Sequence, residues 1–492
     1  MDATLKGLKP EVLWRHFDEL RKIPRCSKHE EKARAYVIGV ARSLKLPFEE
    51  DAAGNVLVRK PAAKGSERAP TVVLQGHLDI VCEKNSDVVH DFSKDPVELD
   101  LRGDLLHAKG TTLGADNGIG VATALAILEA KDLAHGPIEA LFTVDEETGL
   151  TGAFQLKAGV LKGRLMLNLD SEDMGIVTIG CAGGGGTMIA LPVTSAGLPE
   201  GALGARVTVK GLRGGHSGVD IHEYRANAVK LLVRLLWSTA KAHDLAIVDL
   251  SGGDKHNAIP REAVAVVALD GAALDALKTL AREHQEADLS EFGGRDPGIK
   301  VSVEETGSAS GEALDAASSR RALHLLEGLP HGVEKFSHDI PGLVETSTNL
   351  ASVRVAGGNL WVNMSTRSSI APALEALRAR IEAIAVLAGA RVEQAEAYPG
   401  WKPDVTSPLL GVAKAVHKDL YGSEPKVEAI HAGLETGIVG VKFPGMDMIS
   451  IGPTLKNPHS PDEYVDVRTV EQFWRWTVGL LERIAKKGVP GR

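Results

Sequence analysis

The sequence predicts an α/β protein: a mostly parallel central sheet, plus an inserted α+β domain. Three observations carry this. Short β-branched and apolar runs alternate with helix-period segments, the pattern of parallel strands buried on both faces. The chain has 492 residues, more than one hydrophobic core accommodates. Residues 186–398 have their own rhythm of strands and helices, and α/β pattern resumes after them.

In chain order, residues 11–45 read as helices with a break, and Ser27 followed by Glu30 and Glu31 reads as a helix start. "TVVLQ" (71–75) is a buried strand, and "VELDLRGDLLHAKG" a hairpin around Arg102-Gly103-Asp104. A helix is predicted over 117–133, weakened by Gly118 and Gly120 in its first turn. "IEALFTV" (138–144) and "RLMLNLD" (164–170) are further strands. "GCAGGGGT" (180–187) has neither dinucleotide-loop nor P-loop spacing and reads as a flexible connection between domains. "AYPGWKPD" (397–404) reads as the return crossing. These crossings divide the chain into a first catalytic part, 1–185, an inserted domain, 186–398, and a second catalytic part, 399–492. The inserted domain shows two β-β-α-type stretches in succession, as a duplication would. A strand at 446–452 and a helix near 467–487 close the pattern.

Composition narrows the function classes. Apolar residues make up 43% and charged residues 25%, as in ordinary globular proteins. A net charge of -9 argues against nucleic acid and anionic membrane as main partners. No apolar run reaches the roughly 20 residues that span a bilayer, and "MDATLKGLKPEVLWRHF" has no signal-peptide apolar stretch. Cys26, Cys82 and Cys181 are odd in number and far apart, which suits a reducing cytosol and suggests no disulfide framework. Neither CxxC nor HExxH occurs.

Histidines and carboxylates recur where strands end. His77 and Asp79 follow "TVVLQG", Asp145, Glu146 and Glu147 follow "IEALFTV", and Asp170 ends "RLMLNLD". Asp116 sits at the mouth of a helix in "GTTLGADNGIG", and His459 in the loop "IGPTLKNPHSPDEY". Ligands bind at the carboxyl ends of strands in open α/β sheets, so these segments converge on one edge. Two imidazoles and several carboxylates suit zinc, manganese or cobalt, with one carboxylate bridging two ions. A bridging water would lose its proton to a free carboxylate, so Glu146 and Glu147 would divide the roles of base and ligand. His77 would bind metal through one nitrogen, and Asp79 would orient its ring through the other.

"GHLDIV", "GADNGIG", "DEETG", "NLDSED" and "NPHSP", in this order, resemble the dizinc aminopeptidase-like M20 peptidases, most closely their aminoacyl-histidine dipeptidase branch. The resemblance covers nearly the whole chain, including the inserted domain as a lid. It implies a zinc-aminopeptidase-like catalytic fold and two divalent ions per chain, zinc first, with cobalt or manganese as alternatives. Asp116 would bridge the ions, His77 and Asp170 would complete one site, and Glu147 and His459 the other. Asp79 would be the catalytic acid behind His77, and Glu146 the general base. In the lid, His216 of "LRGGHSGVDIH" would polarise the scissile carbonyl, with the two crossings as its hinges. Asn257 of "GGDKHNAIPREA" and Arg367 of "VNMSTRSS" would contact substrate, Arg367 by clamping the terminal carboxylate. Glu435 of "HAGLETG" would line the substrate pocket. The activity implied is cytoplasmic hydrolysis of dipeptides, Xaa-His preferred. A tripeptidase or N-acyl amino acid hydrolase, or a non-catalytic binding protein on the same fold, stays open as an alternative, as does a homodimer through the lid.

Overall fold

The computed structural model describes residues 1–309 and 311–490. The chain divides into two units. The first comprises Met1–Cys181, Trp401–Ala429 and Leu434–Arg492, and the second Ala182–Gly400 with Ile430–Gly433.

An eight-stranded sheet organises the first unit, in the order Phe48–Glu50, Val56–Lys60, Ile138–Thr143, Val72–His77, Leu165–Asn168, Asp447–Ser450, Ile176–Cys181, Lys426–Ile430. Its middle four strands run parallel, and antiparallel strands flank them. The three strands Val72–His77, Ile138–Thr143 and Leu165–Asn168 are buried at every position. That is why they read as unbroken apolar runs rather than alternating ones. Being parallel, they deliver the residues after their last positions to one edge of the sheet. The helix Ala115–Glu129 packs on this sheet and is buried along nearly its whole length, so its glycines lie against neighbouring chain rather than weakening a solvent face. It starts two residues before the predicted position and stops at Glu129 instead of 133. Asp116 and Asn117 depart from helical geometry inside it. The helix Val467–Lys487 buries Val470, Phe473, Thr477, Leu480 and Ile484 at helical spacing, a single apolar stripe facing the core.

The second unit is built on a nine-stranded antiparallel sheet. Lys300–Ser308, Leu203–Lys210, Ala263–Leu269 and Ala246–Gly252 form one half, and Val344–Ala356, Asn359–Ser368, Gly183–Pro192 and Arg391–Gln394 the other, with Gly332–Phe336 pairing Val344–Ala356 as the ninth strand. Two residue pairs join the halves, Ser251 with Arg354 and Gly252 with Val353. A continuous core that includes Leu232, Leu236, Val267, Leu277, Leu350 and Ile381 lies beneath the sheet and its helices.

Three local expectations are corrected. The glycine run after Cys181 is not a flexible connection, since Gly183–Gly186 begin a strand paired with Arg367, Ser368 and their neighbours. A Cβ at Gly184 would lie 2.6 Å from the Tyr398 hydroxyl oxygen, and one at Gly185 2.8 Å from the Arg378 guanidinium carbon. Close approach, not flexibility, requires glycine there. Ser27 does not start a helix; the helix runs Glu31–Ser43, and the Ser27 hydroxyl donates instead to Asp79 at 2.8 Å. Cys26 and Cys82 form a disulfide, with Cα atoms 5.6 Å apart and a sequence separation of 56. A parallel bridge between Cys26 and Ile80 brings the two segments together, a pairing that spacing alone does not reveal. Among the described residues, no helix is long and apolar enough to cross a membrane.

Candidate metal centre

Strand ends, the start of the helix Ala115–Glu129 and the loop after Leu455–Lys456 bring two histidines and five carboxylates of the first unit together. His77 is the last residue of its strand and is 1% exposed. Its Nε2 lies 3.1 Å from Asp116 Oδ1 and 3.3 Å from Asp170 Oδ1. His459 Nε2 lies 3.2 Å from Asp116 Oδ2 and 2.9 Å from Glu147 Oε2. Asp116 thus turns one oxygen toward each imidazole, and each imidazole has a second carboxylate of its own. Glu146 joins Glu147 and His77 in a further cluster of potential ligand atoms within 4.8 Å of one another.

The backbone explains how these side chains meet. After Ile138–Thr143, Asp145 adopts φ 51°, a left-handed conformation that a non-glycine residue rarely takes. The Glu30 carboxylate accepts the Asp145 N–H at 3.0 Å, and the Thr148 and Thr151 hydroxyls donate to the Asp145 carboxylate. This turn opens the short helix Glu146–Gly149, which places Glu146 and Glu147 side by side at the sheet edge. His459 also lies in the left-handed region, at φ 62°. Asp79 is fully buried and accepts three hydrogen bonds: from Ser27 at 2.8 Å, the Glu146 N–H at 3.0 Å and the Glu147 N–H at 3.1 Å. His77 Nδ1 faces the Asp79 carbonyl oxygen at 3.1 Å and its carboxylate at 3.4 Å. With Nδ1 donating there, Nε2 is left to face Asp116.

Electrostatics fit cations. Burial pulls the His77 imidazole down, but Asp170, Asp116 and Asp79 outweigh it and raise it well above its ordinary value. Burial also works against protonated His459, yet Asp116 and Glu147 push it up to about 11. Burial raises Glu146 well above the carboxylate range and Asp170 to about 6. Carboxyl groups held this close, in so little water, call for positive charge among them. Glu147 Oε1 is a buried oxygen with no hydrogen-bond partner, as expected of an atom meant for a metal. Two groups of these side chains could each hold a divalent ion, His77, Asp116 and Asp170 in one and Asp116, Glu147 and His459 in the other, with Asp116 common to both.

The other expected residues lie elsewhere. Glu435 belongs to the first unit but is 1% exposed. Its Oε2 accepts from Gln75 at 2.5 Å and from Thr143 at 2.7 Å, beneath the ends of two central strands. Burial lifts it to about 7. His216, Asn257 and Arg367 belong to the second unit. His216 pairs with Ala258 across a short ladder, and the Asn257 carbonyl accepts the Ser217 N–H at 2.8 Å. The Gly218 and Val219 N–H groups donate to His216 Nδ1 at 3.2 and 3.0 Å, so its ring proton sits on Nε2. Arg367 is 7% exposed and donates to the Tyr398 hydroxyl at 2.9 Å. A Cβ on Gly218 would touch both the His216 ring and the Arg367 side chain, so these two flank one turn.

Four residues escaped sequence reasoning. Ser27 supports Asp79, Tyr398 supports Arg367, and His431 hydrogen-bonds Ser347 at 2.8 Å beside Arg367. Glu463 grips the backbone around Asp116. Glu463 lies four residues after His459, and that proximity was the one available signal.

The chain is similar to known proteins along nearly its whole length. The chain is 41% identical over 485 residues to the cytosol non-specific dipeptidase of Escherichia coli (strain K12), covering 99% of this chain and 100% of that one. The crystal structure of an aminoacylhistidine dipeptidase from Vibrio alginolyticus superposes with a TM-score of 0.91 at 42% identity, covering 100% of this chain and 99% of that one. Human carnosine dipeptidase 1 shares the fold, with a TM-score of 0.52 at 14% identity over 96% of this chain and 98% of its own. Residues 73–483 match peptidase family M20/M25/M40, and the chain belongs to that family.

Proposed function

We propose that the protein is a cytosolic two-metal dipeptidase that cleaves Xaa-His and related dipeptides. The observation that carries this is the Asp116 carboxylate set between two imidazoles, each with its own second carboxylate. The names of its relatives, cytosol non-specific dipeptidase and aminoacylhistidine dipeptidase, support the substrate class. When bound, two divalent ions, zinc first, supply Lewis acidity and make a water more acidic. The chain's own groups do the rest. Glu146, whose carboxylate burial makes unusually basic, takes the proton of the attacking water and hands it to the leaving nitrogen. Asp79 holds the His77 ring and, through their N–H groups, the backbone of Glu146 and Glu147. Glu435 acts through the strand ends that it holds at Gln75 and Thr143. In the second unit, His216 offers an Nε2–H donor for the scissile carbonyl oxygen. Arg367 takes the substrate's terminal carboxylate, and Asn257 contacts the substrate beside His216.

The experiment is a panel of dipeptides, matching tripeptides and C-terminal amides, with release of free amino acids as readout. It is run on metal-stripped protein and after adding zinc, cobalt or manganese. Turnover of Xaa-His that needs metal and a free carboxylate is the expected result. Full turnover in chelator removes the metal mechanism, and good tripeptide cleavage without Xaa-His cleavage removes the substrate class.

A further inference from the structure

We infer that Glu463 is a positioning residue for the metal centre, one buried carboxylate that holds the backbone around Asp116 and the loop of His459 in a single arrangement. This rests on the two-metal reading above. Glu463 Oε2 accepts the N–H groups of Leu113 and Gly114 at 2.6 and 2.9 Å, and Oε1 those of Ala115 and Asp116 at 2.8 and 3.3 Å. Four consecutive amides converge because Gly114 takes φ 70°, turning the chain into a concave nest of N–H groups. Such nests hold anions, and here the anion belongs to the protein. It is 1% exposed, so solvent does not compete for these bonds.

Both ends of the grip are anchored. Glu463 immediately precedes the strand Tyr464–Asp466, which is laddered to Leu105–Ala108, and its own N–H donates to the Ser460 carbonyl at 3.0 Å. The turn that carries His459 is therefore closed onto the residue that carries the grip. From the other side, Arg25 donates to the Gly114 carbonyl at 2.6 Å and to the Leu78 carbonyl at 3.0 Å. Leu78 lies between His77 and Asp79. Buried Glu463 and buried Arg25 thus bracket residues 113–116 and tie them to both histidine-bearing segments. Capping a helix takes fewer bonds than this: Asn227 caps the helix Ala228–Ala240 with two, and Asp270 caps Gly271–Phe292 with one. The arrangement suits a requirement on where the Asp116 carboxylate stands, which a bridging ligand imposes.

The test uses full-length Glu463→Gln and Glu463→Asp. Gln keeps the size but turns an amide NH2 toward N–H donors; Asp keeps the charge but is one methylene short. Metal-free protein is titrated with Co2+ and followed by visible absorption, with thermal unfolding of the metal-free proteins as the folding control. Glu463→Gln should weaken one of the two Co2+ sites by about 10–100-fold and alter its spectrum. At saturating metal, kcat should fall at least about tenfold while KM for the dipeptide stays within about threefold. Glu463→Asp should lie between Gln and the unmutated protein. A folded Glu463→Gln whose titration and spectra superimpose on the unmutated protein overturns the inference. If Gln does not fold, the same identity in Glu463→Asp overturns it. If the unmutated protein takes up two Co2+ ions but cleaves no dipeptide, the substrate reading falls, and Glu463 is judged by the titration alone.

Discussion

The Asp79 carboxylate accepts the backbone N–H of Glu146 at 3.0 Å, so the residue that orients His77 and the residue that carries the proposed base move as one piece. Chemistry and position can nevertheless be separated by substitution. Glu146→Gln leaves the backbone bond intact and removes the proton acceptor. Its kcat should drop by about 10²–10⁴-fold, with metal content unchanged by elemental analysis. Loss of metal with turnover per bound metal preserved would show that Glu147 is the base and Glu146 the ligand.

Asp79→Ala should act on stability and metal together. It strips the acceptor from the Ser27 hydroxyl and from two partly buried N–H groups. Each orphaned donor costs about 1–3 kcal/mol. Calorimetry should show a lowered Tm even in metal-free protein, and metal titration an affinity lower by about 10–100-fold. An unchanged metal-free Tm would contradict the structural half of this prediction.

Arg367→Ala should raise KM for dipeptides and remove the penalty for amidating their C-terminus. Tyr398→Phe deletes the hydroxyl that holds the guanidinium at 2.9 Å. It should raise KM more modestly, by about threefold to tenfold, with little change in kcat. Equal kcat/KM for a dipeptide and its amide in the unmutated protein would rule out Arg367 as the carboxylate clamp.

His431 should make the protein acid-sensitive. Burial, with Arg367 and His216 adding to it, pushes its imidazole down to about 3. In the unfolded chain it takes a proton near 6.5. Below that pH the unfolded state binds more protons, so stability falls as pH drops from about 6.5 toward 3; above 6.5 the group contributes no slope. Denaturant midpoints compared with His431→Gln should show an unmutated-minus-variant difference that shrinks on acidification across this window. A constant difference would contradict it.

How much could be read from the sequence follows from the range of each interaction. Strands such as Val72–His77 and Ile138–Thr143 were legible because burial on both faces demands continuous apolar runs. The clustering of His77, Glu147 and Asp170 was legible because parallel strands end at one edge, whereas Asp116 comes from the start of a helix and His459 from a loop. Partners chosen by tertiary packing were not. Glycines at 183–185 signal freedom locally, yet Tyr398 with its neighbours and Arg378, far along the chain, require them. Ser27 has the local signature of a cap, and its hydroxyl goes to Asp79 52 residues away. Glu463 looks like one more loop acid until its four N–H donors, 347–350 residues earlier, come into view.

The proposed ligand set is also spread out in time. Asp116 and His459 lie 343 residues apart, which at ribosomal speeds of about 5–20 residues per second is roughly 20–70 s of synthesis. The strand Asp447–Ser450 takes its place between Leu165–Asn168 and Ile176–Cys181, so the first sheet also waits for a strand made long after its neighbours. The second unit's sheet uses strands from Gly183–Pro192 to Arg391–Gln394 and is fully translated earlier. On the ribosome the later-starting unit is therefore the first whose sheet can close. Until His459 emerges, the nascent chain carries a cluster of acids lacking one of its two imidazoles. A chain that stalls between Gly433 and His459 has a fully translated second unit and lacks one imidazole of the proposed metal centre.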